Sequence, residues 1–220
     1  MATIPLQVRQ HALADNNAVM QSPLTLDDYL GARFIVEPMR LYDMCMVNDG
    51  AVCLLVSRAD LARELAQPAI HIAGWGESYV TKSKLETMVL DRLKPQMQMA
   101  GDQALAMAGL TLADINHFEA YDVSSMHLLN QVEGFGFTPP GHGLNFCAEG
   151  NMTLGGRIPT NTSGGNLSGS YMHGWSQIAE VVRQLRHSAG QRQIKNAEVS
   201  LSSLTQTDAS HPILFRRGNT

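Results

Sequence analysis

A glycine-rich segment, NTSGGNLSGSYMHGW, precedes a regular amphipathic helix near the carboxyl end of the sequence. It contains Gly164 and Gly165, and Tyr171 and His173 follow shortly before the helix. A helix amino terminus leaves backbone N–H groups unpaired and carries partial positive charge. Glycines let another group approach that backbone closely. This arrangement predicts a site for an anion or a developing oxyanion, with a tight packing corner as the alternative.

A second candidate position lies in EAYD, where a predicted strand ends and a predicted helix begins. Ligands of open α/β sheets collect outside such strand ends, so Tyr121 and Asp122 are expected to face the same crevice as Tyr171. The alternative for Tyr121 is a core side chain with a paired hydroxyl group. Asp122 is expected to pair with backbone groups at a helix start.

The elements that would position these residues alternate between strands and helices. Apolar or alternating runs predict strands at residues 50–57, 69–78, 117–123, 198–204 and 212–218. Helical spacing predicts helices at 58–67, 90–108, from 124 onward and from 175 onward, whereas residues 138–165 read as loop. Thr25–Asp28 and Thr111–Asp114 form capping-box patterns. Helices between strands predict a layered α/β fold.

Composition excludes several classes of function. The net charge is −4 with no basic cluster, which does not suit nucleic-acid binding. No apolar run reaches the ~18 residues of a membrane span, and no signal segment opens the chain, so a cytoplasmic protein is expected. Cys45, Cys53 and Cys147 lack disulfide or zinc spacing and are interpreted as buried thiols, and the histidines lack metal-ligand spacing.

Three segments in order resemble the thiolase superfamily, in its lipid-transfer and sterol-carrier branch. They are NDGAVCLLVSRADLARELAQPAIHIAGWG, GLTLADINHFEAYDVSSMHLL, which resembles the Asn-Glu-Ala-Phe segment, and PTNTSGGNLSGSYMHG, which resembles the segment leading to Gly-His-Pro. The resemblance implies a thiolase-like layered fold, present as the C-terminal half plus the tail of the N-terminal half. Residues 1–67 would be the remainder of the N-terminal half, and residues 68–220 the C-terminal domain.

The sequence departs from the thiolase pattern at three places where thiolases have catalytic residues. Tyr171 stands where thiolases have the histidine of Gly-His-Pro, and Phe118 stands where they have an asparagine. The late Cys-Gly-Gly segment has no counterpart, since that region reads SLTQTDASHP. The half that carries the nucleophilic cysteine is not in this chain. Claisen chemistry by the thiolase route is therefore not expected of this chain alone.

The pair Tyr121 and Tyr171 resembles instead the thiolase-like aldolases that shorten steroid side chains. That resemblance implies retro-aldol cleavage of a β-hydroxyacyl-CoA, with Tyr171 as base and Tyr121 as donor to the developing enolate, or with these roles exchanged. His173 would relay protons or hold the turn, and Gly164 and Gly165 would contact substrate. The CoA thioester is the substrate, and no metal or other cofactor is expected.

The resemblance also implies partners, because a thiolase fold packs two similar halves together. An unpaired strand near residue 50 would be a liability without another chain. A separate thiolase-like N-terminal half, an OB-fold zinc-ribbon acyl-CoA protein and an oligomer are therefore expected, with a truncated product as the alternative. Two other functions stay open: a thiolase-type acyltransferase whose cysteine lies on a partner, and a non-catalytic lipid-binding or scaffold subunit.

Overall fold

The computed structural model describes residues 1–62, 64–79, 90–206 and 209–218. The strands are β1 (Phe34–Val36), β2 (Met39–Arg40), β3 (Ile70–Trp75), β4 (Ser78–Tyr79), β5 (His117–Ala120), β6 (Val199–Thr205) and β7 (Ala209–Arg217). The α-helices are α1 (Thr3–Leu13), α2 (Leu26–Gly31), α3 (Ala59–Ala62), α4 (Leu90–Ala108), α5 (Ser125–Gly134), α6 (Gly143–Ala148) and α7 (Trp175–Leu185). A π-helical turn spans Gly165–Gly169.

Five of the described strands form the central sheet, in the order β3-β7-β6-β5, with β4 also paired to β7. β5 and β6 run parallel, with Ala120 opposite Ser203, whereas β7 is antiparallel to its neighbours. The amide of Tyr121 continues this pairing by donating to the Ser203 carbonyl oxygen at 2.9 Å. Tyr121 therefore lies at the carboxyl edge of the one parallel pair in the described sheet.

Helices cover both faces of the sheet. Neighbouring residues of a strand point to opposite faces, and Leu214 and Phe215 of β7 belong to two separate apolar clusters. Leu214 belongs to the cluster that contains residues of α1, α4, α5 and α6, while Phe215 belongs to the cluster that contains Val181 and Leu185 of α7. The predicted layered α/β fold is confirmed, and the strands predicted at 69–78, 117–123, 198–204 and 212–218 appear as β3, β5, β6 and β7.

Local signals at helix starts are also confirmed. Thr25 Oγ1 accepts the Asp28 amide at 3.1 Å, and Asp28 Oδ2 accepts the Thr25 amide at 2.9 Å, so the predicted capping box begins α2. Thr111 and Asp114 form the second box, which begins a 3₁₀ turn. The predicted helices at 90–108, after 124 and from 175 appear as α4, α5 and α7. Among the described residues, no helix is both long and apolar enough to cross a lipid bilayer.

The strand predicted at residues 50–57 is wrong for this chain. Within the described part of the chain, residues 50–57 have no strand pairing, and Leu55 and Val56 are 98% and 79% exposed. Its apolar pattern indicates a strand, but a strand forms only where a neighbouring strand satisfies its backbone. The helix predicted at 58–67 is described only as Ala59–Ala62, and residue 63 lies outside the described residues.

The sequence patterns did not predict helices α1 and α6. Helix α1 has Ile4, Val8 and Ala12 in the core, but Gln7, Arg9 and His11 are buried as well, so its polar residues do not mark one solvent face. Helix α6 lies inside residues 138–165, which were predicted to be loop because glycine and proline dominate them. The division of the chain at residue 67 stays a prediction.

Candidate active site

Tyr171 and His173 lie on a short loop between the π-helical turn and α7. The Tyr171 amide donates to Asn48 Oδ1 at 2.8 Å, which fixes the loop against the segment before residue 50. His173 has a φ of 51° and Gly174 a φ of 91°, both in the left-handed region. This reversal starts α7 at Trp175 and turns the His173 ring back towards Tyr171.

The loop brings three polar atoms together. The hydroxyl oxygens of Tyr121 and Tyr171 lie 2.8 Å apart. Nδ1 of His173 lies 3.2 Å from the Tyr121 hydroxyl and 3.1 Å from the Tyr171 hydroxyl. The predicted meeting of the strand end with the glycine-rich loop is therefore observed, although the catalytic roles stay a prediction.

The three groups differ in their exposure. Tyr121 is only 5% exposed, Tyr171 is half-buried, and His173 is exposed. Burial raises the pKa of Tyr121 above that of a free phenol, and the Tyr171 hydroxyl, Cys45 and Asp122 raise it further. Tyr121 therefore remains a neutral hydrogen-bond donor, and the group opens to the surface through Tyr171 and His173.

The hydrogen bonds of this group allow a directed chain of proton donors. Each hydroxyl carries one proton, and Nδ1 of a neutral imidazole either donates or accepts. When Nε2 carries the imidazole proton, Tyr121 donates to Tyr171 and Tyr171 donates to His173 Nδ1. In that arrangement a proton reaching Tyr171 can pass on to His173.

Tyr121 is held in place by α5, and the sequence pattern did not identify the residues responsible. Nε2 of His127 lies 2.7 Å from the Thr205 carbonyl oxygen, and the ring meets Tyr121 edge-on with centroids 6.3 Å apart. Burial lowers the pKa of His127, so the ring is neutral and donates this bond. Gln131 Nε2 donates to the Tyr121 carbonyl oxygen at 2.8 Å. These contacts fix the Tyr121 ring and backbone.

The glycine pair has an internal structural role. Gly164 and Gly165 have φ values of 93° and 53°, and both are buried. A Cβ on Gly165 would collide with the Asp122 carboxylate, and one on Gly164 would collide with Ala12. The amide of Asn166 donates to Asp122 Oδ1 at 2.7 Å, so the group at this backbone is a carboxyl group of the chain itself, and burial raises the pKa of that carboxyl to about 7. Contact of these glycines with substrate stays a prediction.

A buried ionic cluster lies behind the strand end. Arg192 makes a two-fold contact with Glu180, with Nε to Oε1 and Nη2 to Oε2 both at 2.9 Å. Thr162 bridges Glu180 to Glu119, because its hydroxyl donates to Glu180 at 2.9 Å and its amide to Glu119 at 2.8 Å. Burial and the charge of Glu180 raise the pKa of Glu119 well above its usual value, so Arg192 and Glu180 form the main ion pair.

The environments of Cys45 and Cys147 do not suit a nucleophile. Burial raises the pKa of the Cys147 thiol to about 11. Cys45 is half-buried, and burial and the nearby charge of Asp122 raise its thiol pKa too. Cys53 is exposed, so the interpretation of all three as buried thiols is wrong at that position. Thiolate chemistry needs a lowered pKa, which neither Cys45 nor Cys147 has.

Comparisons with known proteins agree with this architecture. Residues 78–211 match the thiolase C-terminal domain-like family. The 17-hydroxy-3-oxo-4-pregnene-20-carboxyl-CoA lyase of Mycobacterium tuberculosis is 39% identical over 183 residues, which are 81% of this chain and 47% of that protein. The steroid side-chain-cleaving aldolase of Thermomonospora curvata is 37% identical over 186 residues, which are 81% of this chain and 46% of that protein.

A solved structure shows the same fold. The structure of an Ltp2-ChsH2(DUF35) aldolase superposes with a TM-score of 0.83 and 28% sequence identity, covering 99% of this chain and 58% of that one. The chain spans about half the length of the curated relatives it matches. The predicted resemblance to the thiolase superfamily is confirmed: the chain belongs to the thiolase C-terminal domain-like family.

Proposed function

We propose that this chain is a subunit of a carbon–carbon lyase that cleaves a β-hydroxyacyl-CoA by a retro-aldol reaction. The observation that carries the proposal is the 2.8 Å contact between the Tyr121 and Tyr171 hydroxyls, with His173 Nδ1 beside both. Two relatives at 37–39% identity are named as a lyase of a hydroxylated steroid carboxyl-CoA and as a steroid side-chain-cleaving aldolase. Their names support a steroid thioester as the substrate class.

The chemistry requires a base at the substrate hydroxyl and a donor at the thioester oxygen. Tyr171 takes the β-hydroxyl proton as its own proton moves to His173, and the alkoxide electrons form a carbonyl while the Cα–Cβ bond breaks. The bond electrons become an enolate whose oxygen accepts a hydrogen bond from Tyr121. The stored proton then returns to Cα, which leaves a shortened acyl-CoA and a ketone or aldehyde.

The environments support this division of roles. Tyr121 is the deeper phenol and its pKa is raised, so it suits the donor. Tyr171 is half-buried and touches His173, so it suits proton exchange with an arriving hydroxyl. The route forms no acyl-enzyme and uses no metal or organic cofactor beyond the CoA of the substrate.

Product analysis tests this function directly. Purified assembly incubated with a steroid β-hydroxyacyl-CoA is expected to release a ketone and the shortened acyl-CoA in equal amounts, measured by liquid chromatography and mass spectrometry. The same thioester without its β-hydroxyl is the matched control and should stay intact, because no carbonyl can form at Cβ. Acyl transfer to free CoA without ketone release would contradict the lyase proposal.

We propose further that the chain works with other chains, one of them a thiolase-like N-terminal half. The segment 47–57 has no regular secondary structure, carries exposed apolar side chains and makes no backbone–backbone hydrogen bond with the described residues. The half-length match to the curated relatives supports a missing half. A second partner is an OB-fold zinc-ribbon acyl-CoA protein, and the aldolase of similar structure is named with two components.

Substitution of Leu55 by Asp is expected to weaken assembly by at least ~10-fold, because it places a charge in the segment that would become a buried strand. The measurement is native mass spectrometry of the chain co-expressed with the N-terminal half over a dilution series. Met107→Asp, on the exposed side of α4, is the control. Equal assembly of wild type and Leu55→Asp would rule out this segment as the contact.

A further inference from the structure

We propose that Asp122 is the positioning residue of this site: its carboxylate ties both ends of the Tyr171–His173 loop to the strand end that carries Tyr121. This inference rests on the proposed lyase function and deepens it. Asp122 is fully buried and directly follows Tyr121 in the chain. Its carboxylate does not touch the three reacting groups, so it acts through the backbone and helix that hold them.

The first tie holds the segment before the loop. The amides of Asn166 and Leu167 point at the carboxylate, with Asn166 N 2.7 Å from Oδ1 and Leu167 N 3.4 Å from Oδ2. These amides belong to the first residues of the π-helical turn, where a side chain rather than solvent accepts their hydrogen bonds. Gly165 permits this approach, because any Cβ there would occupy the position of the carboxylate.

The second tie holds the segment after the loop. Gln177, in the first turn of α7, donates from Nε2 to Asp122 Oδ1 at 3.3 Å and is almost fully buried. Ser176 Oγ donates to the Ser170 carbonyl oxygen at 3.0 Å, which closes the base of the loop. One carboxylate therefore contacts the elements on both sides of residues 170–174.

The consequence for the reaction is geometric. Tyr121 and Asp122 are adjacent, so a shift of the π-helical turn or of α7 relative to Asp122 is also a shift of Tyr171 relative to Tyr121. Proton transfer depends steeply on separation, and a misplacement of about 1 Å can cost ~10²-fold in rate. Asp122 is thus expected to affect turnover much more than substrate affinity.

Three variants of the assembled protein test the inference. Asp122→Ala removes the acceptor, Gln177→Met removes only the tie to α7, and Asp102→Ala removes an exposed carboxylate of α4 as a matched control. Asp122→Ala is expected to lower kcat ~10²-fold with KM changed less than ~3-fold. Gln177→Met should lower kcat ~10-fold, and Asp102→Ala should change neither constant.

Hydrogen exchange measured by mass spectrometry supplies a readout that does not depend on activity. Amides in residues 165–173 should exchange at least ~10-fold faster in Asp122→Ala, while those of α4 keep their protection. Should Asp122→Ala fail to fold, faster exchange and lower kcat in Gln177→Met would support the tie by themselves.

Unchanged exchange in residues 165–173, or faster exchange with unchanged kcat, would overturn the positioning role in an assembly whose wild type cleaves substrate. If the wild-type assembly cleaves no β-hydroxyacyl-CoA, the proposed function is overturned. Faster exchange in Asp122→Ala would even then support the contact between Asp122 and the two segments that flank the loop. The two failures are therefore distinguishable.

Discussion

Replacement of Tyr171 by Phe is expected to lower kcat for β-hydroxyacyl-CoA cleavage by about 10²–10⁴-fold, the usual contribution of a general base. The substitution keeps the ring and removes only the hydroxyl that lies 2.8 Å from Tyr121 and 3.1 Å from His173. Tyr121→Phe should have an effect of similar size. The double variant should be little worse than either single one, because the two hydroxyls act as a unit.

Steady-state kinetics on the purified assembly measures these losses, and Tyr79→Phe is the matched control. Tyr79 is exposed on β4, and its hydroxyl makes a single long contact of 3.5 Å with Glu77 Oε2. Removal of that oxygen should therefore leave kcat unchanged. Full activity of the Tyr121→Phe, Tyr171→Phe double variant would instead favour a non-catalytic lipid-binding or scaffold subunit.

The acyltransferase alternative makes a different prediction. A nucleophilic cysteine on a partner chain would make the assembly sensitive to iodoacetamide, whereas the tyrosine route requires no thiolate. Loss of activity that tracks alkylation of one partner cysteine would support acyl transfer. Continued ketone release after complete alkylation would support the lyase.

Replacement of Arg192 by Met is expected to lower the free energy of unfolding by about 3–5 kcal/mol, the typical cost of leaving one member of a buried ion pair unpaired. Arg192 makes two contacts of 2.9 Å with Glu180 and a further one of 3.2 Å with Asp15. Glu180 is fully buried, so its carboxylate would lose its main counterion without gaining water.

Urea denaturation followed by circular dichroism measures this loss. Glu180→Gln in the Arg192→Met background should recover part of the stability, because it removes the unpaired charge and keeps the side-chain volume. Arg58→Met is the control: Arg58 and Asp60 form an exposed ion pair, and such pairs contribute little. A loss in Arg192→Met no larger than in Arg58→Met would show that the buried pair contributes nothing to stability.

The meeting of Tyr121 and Tyr171 could be predicted because each lies next to a strong local signal. A strand end before Tyr121 and a glycine-rich helix start near Tyr171 both indicate the same edge of an α/β sheet. The identity of the anion at the glycines could not be predicted. A glycine pattern shows that something approaches the backbone, and only the fold shows that Asp122 does so.

Helix α1 and the segment 47–57 show the limits of pattern reading in opposite ways. Polar residues of α1 are buried because they find partners inside, as where Arg9 Nε donates to Ser168 Oγ at 2.9 Å. The sequence of α1 therefore lacks the separate polar face by which a surface helix is recognised. The segment 47–57 has a strand pattern, but the pattern reports only what the side chains favour and not whether a neighbouring strand is present.

The parallel pairing of β5 with β6 has a consequence for biosynthesis. Tyr121 is fixed by a backbone hydrogen bond to Ser203, a residue that the ribosome adds long after Tyr121 itself. Until then the strand carrying Tyr121 lacks its neighbour, and contacts between residues so distant in sequence form late. The nascent chain is therefore expected to bring Tyr121, Tyr171 and His173 together only near the end of translation.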